Sequence, residues 1–456
     1  MRAAPEQRYA ASSASSASGG YRGTCEAGGA ITLQDRYTIL PQLLGEGSSA
    51  KVYRGLDVKT GRHVAVKVYR DTAGMSMASF KTSIEVRSTL GRPVRTRNPS
   101  VLDKMNFKGW FVELLGFSND AQTGAAGVDP DSGWLYIVFE LGGENLEDRL
   151  AACARERRGL ALQELRALHW TLVSVVCGLQ RHGLVHLDIK PTNIVRFPTG
   201  SGLWRWKLID LDGVSKGGVL VRFGDVTFTP PYMSPELASV YVKAGPGRAK
   251  DCGLVLAPSM DVWSAGMCAL EAALLAQVYN SRYLEWRQST GSDVKFLEWL
   301  GNPSNPPVLS GKLRENVSAM DPDMCDLLEG MLTADPAKRF SATQCLRHRW
   351  FTPLLAPAGA RPADPTSGHP AAKAPAAVAW APTPCQRQVP LQIQNNKNNN
   401  TTTTTNNNNN SNNNNSNSNS SSIQTAVVGA PIEPVEAVGR ELLQPKVAAT
   451  RVCVAM

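Results

Sequence analysis

The spacing of hydrophobic residues changes midway along the central part of the chain. From residue 37 to about residue 140, short apolar or alternating runs, such as 64–69 and 134–139, predict β-strands. Farther along, apolar residues recur at intervals of three and four, as in 163–182, which predicts amphipathic helices. The pattern therefore predicts an α+β architecture with two lobes, a small β-rich lobe followed by a larger helical lobe.

Both ends of the chain lack this patterning. The first residues are rich in Ala, Ser and Gly, and residues 395–422 consist almost entirely of Asn, Thr and Ser. Segments of this kind bury too little apolar surface to offset the entropy of folding. The predicted organisation is a disordered tail (1–36), a folded domain (37–351, with lobes 37–139 and 140–351) and a second disordered tail, rich in Pro, Ala and Asn (352–456).

Composition and charge narrow the classes of partner. The net charge of +9 comes from scattered Lys and Arg residues rather than from a basic block, so no nucleic-acid partner is expected. The nine cysteines show no zinc-binding spacing and indicate reduced thiols. No apolar run reaches the roughly 18–20 residues of a membrane span. We expect a cytoplasmic protein; the Ala-, Ser- and Arg-containing N-terminus leaves organelle targeting, chloroplast included, as the alternative.

A glycine-containing loop precedes a lysine on an apolar strand. In Leu44–Val52, Gly45 and Gly47 would let backbone N–H groups approach a phosphate closely. Lys67 ends the run Val64-Ala65-Val66-Lys67, and an inward-pointing lysine on such a strand needs an anionic partner. Glu85, 18 residues farther along in a segment that favours helix, is the candidate partner, with an exposed helix acid as the alternative.

A short loop carries the groups that phosphoryl transfer requires. In Leu184–Asn193, with the sequence LVHLDIKPTN, a carboxylate, a cation and an amide lie within six residues. Asp188 would orient the attacking hydroxyl and accept its proton, and Lys190 would neutralise the transferring phosphoryl group. Asn193 would hold a metal ion.

This loop resembles the H-R-D-x-K-P-x-N catalytic loop of eukaryotic protein kinases, in its Ser/Thr form. Further motifs follow in the order of that family: Asp210-Leu211-Asp212, TPPYMSPE at 229–236, DVWS at 261–264 and DPAKR at 335–339. The resemblance implies a bilobal protein kinase fold. It also implies an enzyme that uses ATP and Mg²⁺ to phosphorylate Ser and Thr hydroxyls of protein substrates.

The resemblance also assigns roles to individual residues. Asp188, Lys190 and Thr229 would be catalytic, and Asn193 and Asp210 would bind the metal. The residues it implies for ATP binding are Leu44, Gly45, Gly47, Ala50, Val52, Ala65, Lys67, Glu85, Glu140 and Leu141.

Two departures from the family pattern lie beside these residues. Leu187 stands where the family has Arg, so a phosphate at Ser215 or Thr227 would lose its docking cation. This predicts activity without phosphorylation of that segment. Asp212 replaces the family's Gly; it could add a third carboxylate, or be the metal ligand itself in place of Asp210. A pseudokinase-type ATP-binding scaffold remains the alternative function.

The 24 residues between Glu236 and Asp261 form a longer connection than is usual in the family. We interpret the additional residues as a neutral surface insertion, with guidance of a substrate as the alternative.

The chain ends in Cys453-Val454-Ala455-Met456, which fits a C-a-a-X motif, with Met favouring farnesylation. Against this motif, Ala455 is a weak aliphatic residue and no polybasic run precedes the cysteine. A single lipid chain gives only reversible attachment, so the motif predicts weak membrane contact through Cys453.

Overall fold

The computed structural model describes residues 31–355, apart from 48, 73, 93–106, 121, 201–202, 223–225 and 245–252. The Asn-rich tract and Cys453 lie outside the described residues. At both ends the folded domain extends slightly beyond the predicted range of 37–351. Ile31–Leu33 forms a strand whose Leu33 is buried, and Thr352–Leu355 forms a short helix.

The first lobe is built on a six-stranded antiparallel sheet with the strand order β1-β2-β3-β4-β6-β5. One long helix, α1, follows the fourth strand. Its elements are β1 (Ile31–Leu33), β2 (Tyr37–Glu46), β3 (Ala50–Asp57), β4 (Arg62–Tyr69), α1 (Gly74–Leu90), β5 (Leu114–Phe117) and β6 (Tyr136–Glu140).

The second lobe is mainly helical, with short strand pairs around the loops. Its elements are α2 (Leu146–Arg155), α3 (Leu162–Arg181), β7 (Leu184–Val185), β8 (Ile194–Pro198), β9 (Trp204–Leu208), β10 (Ser215–Lys216), β11 (Leu220–Arg222), α4 (Pro235–Ala244), β12 (Gly253–Val255), α5 (Pro258–Leu274), α6 (Asn280–Thr290), α7 (Val294–Leu300), α8 (Gly311–Met320), α9 (Pro322–Met331), α10 (Ala342–Leu346) and α11 (Thr352–Leu355). The predicted α+β architecture with a β-rich and a helical lobe is confirmed.

The alternation of side chains along β4 decides which of them face the site. Val64 and Val66 pack on one side of the sheet, in a core with Tyr136 and Val138. Because successive strand residues point to opposite faces, Ala65, Lys67 and Tyr69 share the other face. That face looks towards the second lobe, so β4 places a lysine among apolar neighbours next to the catalytic loop.

The helical lobe is organised around α3 and α5, which are buried along most of their length. A buried ion pair braces its lower part: the guanidinium of Arg339 donates to both carboxylate oxygens of Glu236 at 2.7 and 2.8 Å. Within the described residues, Cys153, Cys177, Cys268, Cys325 and Cys345 are free and buried. No helix in the same part of the chain combines the length and apolar character that a membrane span requires.

Candidate active site

The loop between β7 and β8 is held in an unusual backbone conformation. Leu187 has a φ of 67°, in the left-handed region that non-glycine residues rarely adopt. The backbone N–H groups of His186 and Leu187 donate to the carboxylate of the buried Asp261 at 2.7 and 2.8 Å. The imidazole Nε2 of His186 lies 2.9 Å from the carbonyl oxygen of Asp210. These contacts outweigh the local strain and fix the loop.

Asp188, Lys190 and Thr229 form a closed triangle of polar contacts. The Lys190 Nζ lies 2.8 Å from Asp188 Oδ2 and donates to the Thr229 hydroxyl at 3.0 Å. That hydroxyl donates to Asp188 Oδ1 at 2.6 Å. The structure thus brings together the three residues predicted to be catalytic, although Thr229 comes from a segment 41 positions beyond Asp188. The triangle places a carboxylate base directly beside a cation.

Asn193 and Asp210 offer the oxygen atoms that a magnesium ion would need. The Asn193 amide donates to the carbonyl oxygen of Asp188 at 3.0 Å, and its Oδ1 is buried without a hydrogen-bond partner among the residues that the structure describes. The Ile209 N–H donates to the Asn193 carbonyl at 2.9 Å and so keeps Asp210 beside the loop. A buried, unpaired amide oxygen next to a carboxylate fits Mg²⁺, which prefers oxygen ligands.

Lys67 lies between two carboxylates of the segment that follows β9. Its Nζ is 2.8 Å from Asp210 Oδ1 and 2.9 Å from Asp212 Oδ2, and the side chain is almost fully buried. Burial opposes the charge of Lys67, but the two carboxylates outweigh it and raise the pKa of the lysine. Burial likewise opposes the charge of Asp210, yet Lys67 holds the pKa of that carboxyl below its ordinary value.

Asp212 occupies the interior of the site. The Tyr69 hydroxyl donates to it, at 3.1 and 3.2 Å from its two oxygens, in addition to the contact with Lys67. Burial raises the pKa of Asp212, and the charge of Asp210 adds to the effect. Sequence reasoning considered Asp212 only as an additional or alternative metal ligand. The position of Tyr69 could have been predicted from the sequence, because residues 67 and 69 point to the same face of a strand.

The structure does not form the predicted Lys67–Glu85 pair. Glu85 lies on the exposed side of α1 and makes no ion pair within the part of the chain that the structure describes. Where α1 approaches the site it presents Phe80, which is buried against the ring of Tyr69 at a centroid distance of 5.7 Å. The alternative considered from the sequence, an exposed helix acid, describes the observed position.

Apolar side chains from both lobes form the walls of a cleft next to Lys67. They pack into one cluster that includes Leu44, Ala50, Val52, Ala65, Phe139, Leu141, Val195 and Phe197. Five of these were predicted for ATP binding. Val195 and Phe197 were not, although they alternate with polar Arg196 along β8 directly after Asn193. Apolar walls of this kind would suit a purine base.

The segment after β6 borders this cleft through its backbone. The Glu140 side chain pairs with Lys207 and accepts a hydrogen bond from the Glu113 N–H at 2.7 Å. These contacts direct it away from the cleft. Gly142 lies so close to β8 that a Cβ atom there would be 2.4 Å from Val195 Cγ1. Because the Glu140 side chain is engaged by Lys207 and by the Glu113 N–H, Glu140 would border a ligand through its main chain.

The glycine loop closes over the same cleft. Gly45 lies opposite Val52 in the β2–β3 ladder, and the Gly47 N–H donates to the Ala50 carbonyl at 2.8 Å. Arg70, which the sequence did not single out, reaches back from the end of β4 and donates to the Gly47 carbonyl at 3.1 Å. The loop is thereby anchored to the strand that carries Lys67.

Comparisons with known proteins agree with this geometry. The family model of the protein kinase domain matches residues 38–351. Cell division control protein 2 homolog 3 of Trypanosoma brucei brucei is 28% identical over 338 residues, which cover 70% of this chain and 93% of the relative. Cyclin-dependent kinase B2-1 of Oryza sativa subsp. japonica is 25% identical over 343 residues, 71% of this chain and 92% of the relative.

A third relative is named as a serine/threonine-protein kinase. The MAP kinase-interacting serine/threonine-protein kinase 1 of Xenopus laevis is 25% identical over 337 residues, 70% of this chain and 69% of the relative. The two-lobed fold and the site between its lobes define a phosphotransferase, and the matched family model covers most of the chain. The chain belongs to the protein kinase family. In general class it is a serine/threonine protein kinase.

Proposed function

We propose that this protein transfers the γ-phosphoryl group of ATP to Ser and Thr hydroxyls of protein substrates, without requiring a phosphate on its own activation segment. That name is used here for residues 210–236. The observation that carries the catalytic part is the triangle of Asp188, Lys190 and Thr229 beside the unpaired Asn193 oxygen. A scaffold that only binds nucleotide has no need of a base that is paired in this way.

Each residue of the site has a distinct task in the transfer. Asp188 orients the acceptor hydroxyl and takes its proton as the new P–O bond forms and the bond from the γ-phosphorus to the bridging oxygen of ADP, the leaving group, breaks. Lys190 balances charge on the phosphoryl group in transit, and Lys67 holds the phosphates that stay with the nucleotide. Asn193 and Asp210 would hold Mg²⁺, which neutralises the charge of the phosphates when it is bound.

The first test separates catalysis from nucleotide binding. Wild-type protein and Asp188→Asn are incubated with Mg-ATP and a mixed Ser/Thr peptide library, and ATP affinity is measured by calorimetry. We expect transfer by the wild type and a loss of about 10²–10⁴-fold in Asp188→Asn, with ATP affinity unchanged within about threefold. ATP binding without transfer in either protein would instead favour the scaffold.

Two features support activity without a phosphate on the activation segment. Leu187 is apolar and 3% exposed, so the loop offers no cation there for a phosphate group. Backbone pairing holds the segment instead. β10 pairs with β7, and β11 pairs antiparallel with β12, in the register Leu220↔Val255. The additional residues before Asp261 thus supply a strand to the activation segment, rather than forming only a neutral insertion.

The second test removes the candidate phosphate sites. Ser215→Ala and Thr227→Ala, singly and together, are expected to keep peptide phosphorylation within about twofold of the wild type, because the catalytic loop has the buried, apolar Leu187 at the position of the docking cation. Phosphatase-treated wild type should behave the same way. Inactivation by phosphatase that is reversed when phosphate returns to either residue would contradict the proposal.

We also propose that farnesylation of Cys453 gives the otherwise cytoplasmic kinase reversible membrane contact. The support is the C-a-a-X sequence itself, since this residue lies outside the described part of the chain. Expression of full-length wild type and Cys453→Ser should show a lower membrane fraction for the variant. An equal membrane fraction for both proteins would remove this proposal and leave the kinase proposal untouched.

A further inference from the structure

We propose that Asp212 is the positioning residue that fixes Lys67 in this kinase, and that Glu85 of helix α1 has no part in the site. The inference rests on the proposed kinase function, since it concerns how the phosphate-binding lysine is held. It goes further because it assigns the pairing with Lys67 to Asp212, in the segment after β9, instead of to a glutamate of helix α1. In protein kinases generally, a helix glutamate pairs with this lysine.

Helix geometry excludes Glu85 as the partner. Glu85 follows Phe80 by five residues, which carries it about 140° around the helix at roughly 100° per residue. Phe80 is 0% exposed and faces the site, so Glu85 must face outward. Turning Glu85 inward would require the whole helix to rotate by more than a quarter turn and would expose the Phe80 ring.

No other residue of α1 can take the place of Glu85. The helix sequence, GMSMASFKTSIEVRSTL, contains a single acidic residue. On its buried side, Phe80, Met77 and Ile84 pack against the same cluster. The buried polar residues of the helix, Ser76, Ser83 and Arg87, carry no negative charge. A buried lysine without a paired charge is strongly unfavourable, so the required carboxylates must come from another element.

Asp212 meets each requirement for that partner. Its Oδ2 lies 2.9 Å from Lys67 Nζ, and its side chain is 12% exposed. The Tyr69 hydroxyl fixes the carboxylate from the next inward position of the same strand. The ring of Tyr69 is itself held edge-on by Phe80, with 83° between the ring planes. Phe80 thus supports the carboxylate indirectly, by packing against the tyrosine.

The contacts of Asp210 and Asp212 indicate that the two carboxylates have different roles. Asp212 has its Oδ2 engaged by Lys67, and both of its oxygens lie within hydrogen-bond distance of the Tyr69 hydroxyl. Asp210 contacts Lys67 through Oδ1, and the hydrogen bond from the preceding Ile209 N–H to the Asn193 carbonyl places it next to the residue that offers a metal-binding oxygen. An ammonium group has three N–H donors, so two carboxylates leave one donor for a phosphate oxygen. Asp210 therefore serves the metal, and Asp212 serves the lysine.

The test compares two isosteric variants, Asp212→Asn and Glu85→Gln. The kinetic constants kcat and KM for ATP are measured on the full chain, and the Kd for ATP is measured by calorimetry. We expect Asp212→Asn to raise Kd and KM for ATP about fivefold or more and to lower kcat about tenfold. Glu85→Gln should leave all three within about twofold, and Tyr69→Phe should fall between the two.

Two outcomes would overturn the assignment. One is an effect of Glu85→Gln equal to or larger than that of Asp212→Asn, which would make the helix glutamate the working partner. The other is an Asp212→Asn protein with the ATP affinity and kcat of the wild type. Thermal unfolding of each variant shows whether a loss reflects misfolding; if Asp212→Asn does not fold, Tyr69→Phe decides, and wild-type kinetics for it overturn the assignment.

The proposed function can fail separately from this inference. If wild type transfers no phosphate and matches Asp188→Asn, the kinase activity is refuted. The effects of Asp212→Asn and Glu85→Gln on the Kd for ATP would still decide which carboxylate positions Lys67.

Discussion

Thr229 connects the base and the cation of the site through one hydroxyl group. It donates to Asp188 Oδ1 and accepts from Lys190 Nζ, so it holds both side chains in a single arrangement. The hydroxyl is the part of the side chain that makes both of these contacts. Its methyl group makes no contribution to the polar contacts, which allows the two parts of the side chain to be separated by substitution.

We therefore predict that Thr229→Ala lowers kcat for peptide phosphorylation about thirtyfold, because two hydrogen bonds of about 1 kcal/mol each are lost near the reacting groups. Thr229→Ser keeps the hydroxyl and should retain at least a third of the wild-type rate. Steady-state kinetics at saturating ATP measures both. Equal activity of the Ala and Ser variants would show that the hydroxyl has no positioning role.

At the residue scale, sequence reasoning succeeded where spacing along the chain is short. Asp188, Lys190 and Asn193 lie within one loop, so their proximity could be predicted. The contact of Lys67 with Asp212 joins residues 145 positions apart, and no local sequence pattern predicts it. Glu85 was proposed from its distance along the chain, whereas the rotation of its helix decided its position.

At the scale of elements, a strand supplied by the residues before Asp261 holds the activation segment. β12 pairs with β11 over the register Leu220↔Val255 to Arg222↔Gly253. The Gly218 N–H extends the contact by donating to the Leu256 carbonyl at 2.8 Å. The length of this connection was visible in the sequence, but its pairing partner was not, because a three-residue strand has no periodicity to detect.

We predict that replacing Gly253-Leu254-Val255 by Gly-Ser-Gly loosens the activation segment, because flexible residues with low β-propensity weaken the ladder. Amide hydrogen exchange in 220–222 should become faster, and peptide phosphorylation should fall severalfold. Val255→Thr, which keeps a β-branched side chain and the backbone, is the matched control and should behave as wild type. Unchanged exchange in the Gly-Ser-Gly variant, in which Leu254 and Val255 are replaced, would mean that β12 does not hold the segment.

At the scale of the whole molecule, the helical core contains a carboxylate that opposes stability at neutral and alkaline pH. Glu271 is 1% exposed in α5, where it accepts hydrogen bonds from the Tyr232 hydroxyl at 2.8 Å and the Val278 N–H at 3.0 Å. Burial raises its pKa from 4.5 to about 7. The folded protein therefore binds this proton more tightly than the unfolded chain does, and the associated stability is lost as pH rises from 4.5 through 7.

We predict that Glu271→Gln increases the free energy of unfolding relative to wild type at pH 8 by up to about 3 kcal/mol, with little gain at pH 5. Urea denaturation at the two pH values measures the difference. The exposed Glu298→Gln in α7 is the control and should show no such pH dependence. A gain of equal size at both pH values would show that ionisation of Glu271 is not the cause.

The whole-molecule architecture was the most predictable level, because the change from alternating to helical periodicity marks the two lobes. The folded limits were less predictable. Leu33 belongs to the core although it lies within a stretch dominated by Ala, Ser and Gly, since pairing with Tyr37 buries it. A single strand of three residues gains its stability from the neighbouring strand rather than from its own sequence.

The double anchoring of Lys67 has a consequence for inhibitors of this kinase. A compound that binds only after the Asp210–Asp212 turn has swung out of the cleft must first separate the lysine from both carboxylates and withdraw Leu211, which is 2% exposed, from the core. Breaking a buried pair costs about 3–5 kcal/mol, which lowers affinity by a factor of roughly 100 or more. Selective compounds should therefore be sought among those that bind while the Asp210–Asp212 turn keeps its observed conformation and that contact the apolar walls of the purine cleft.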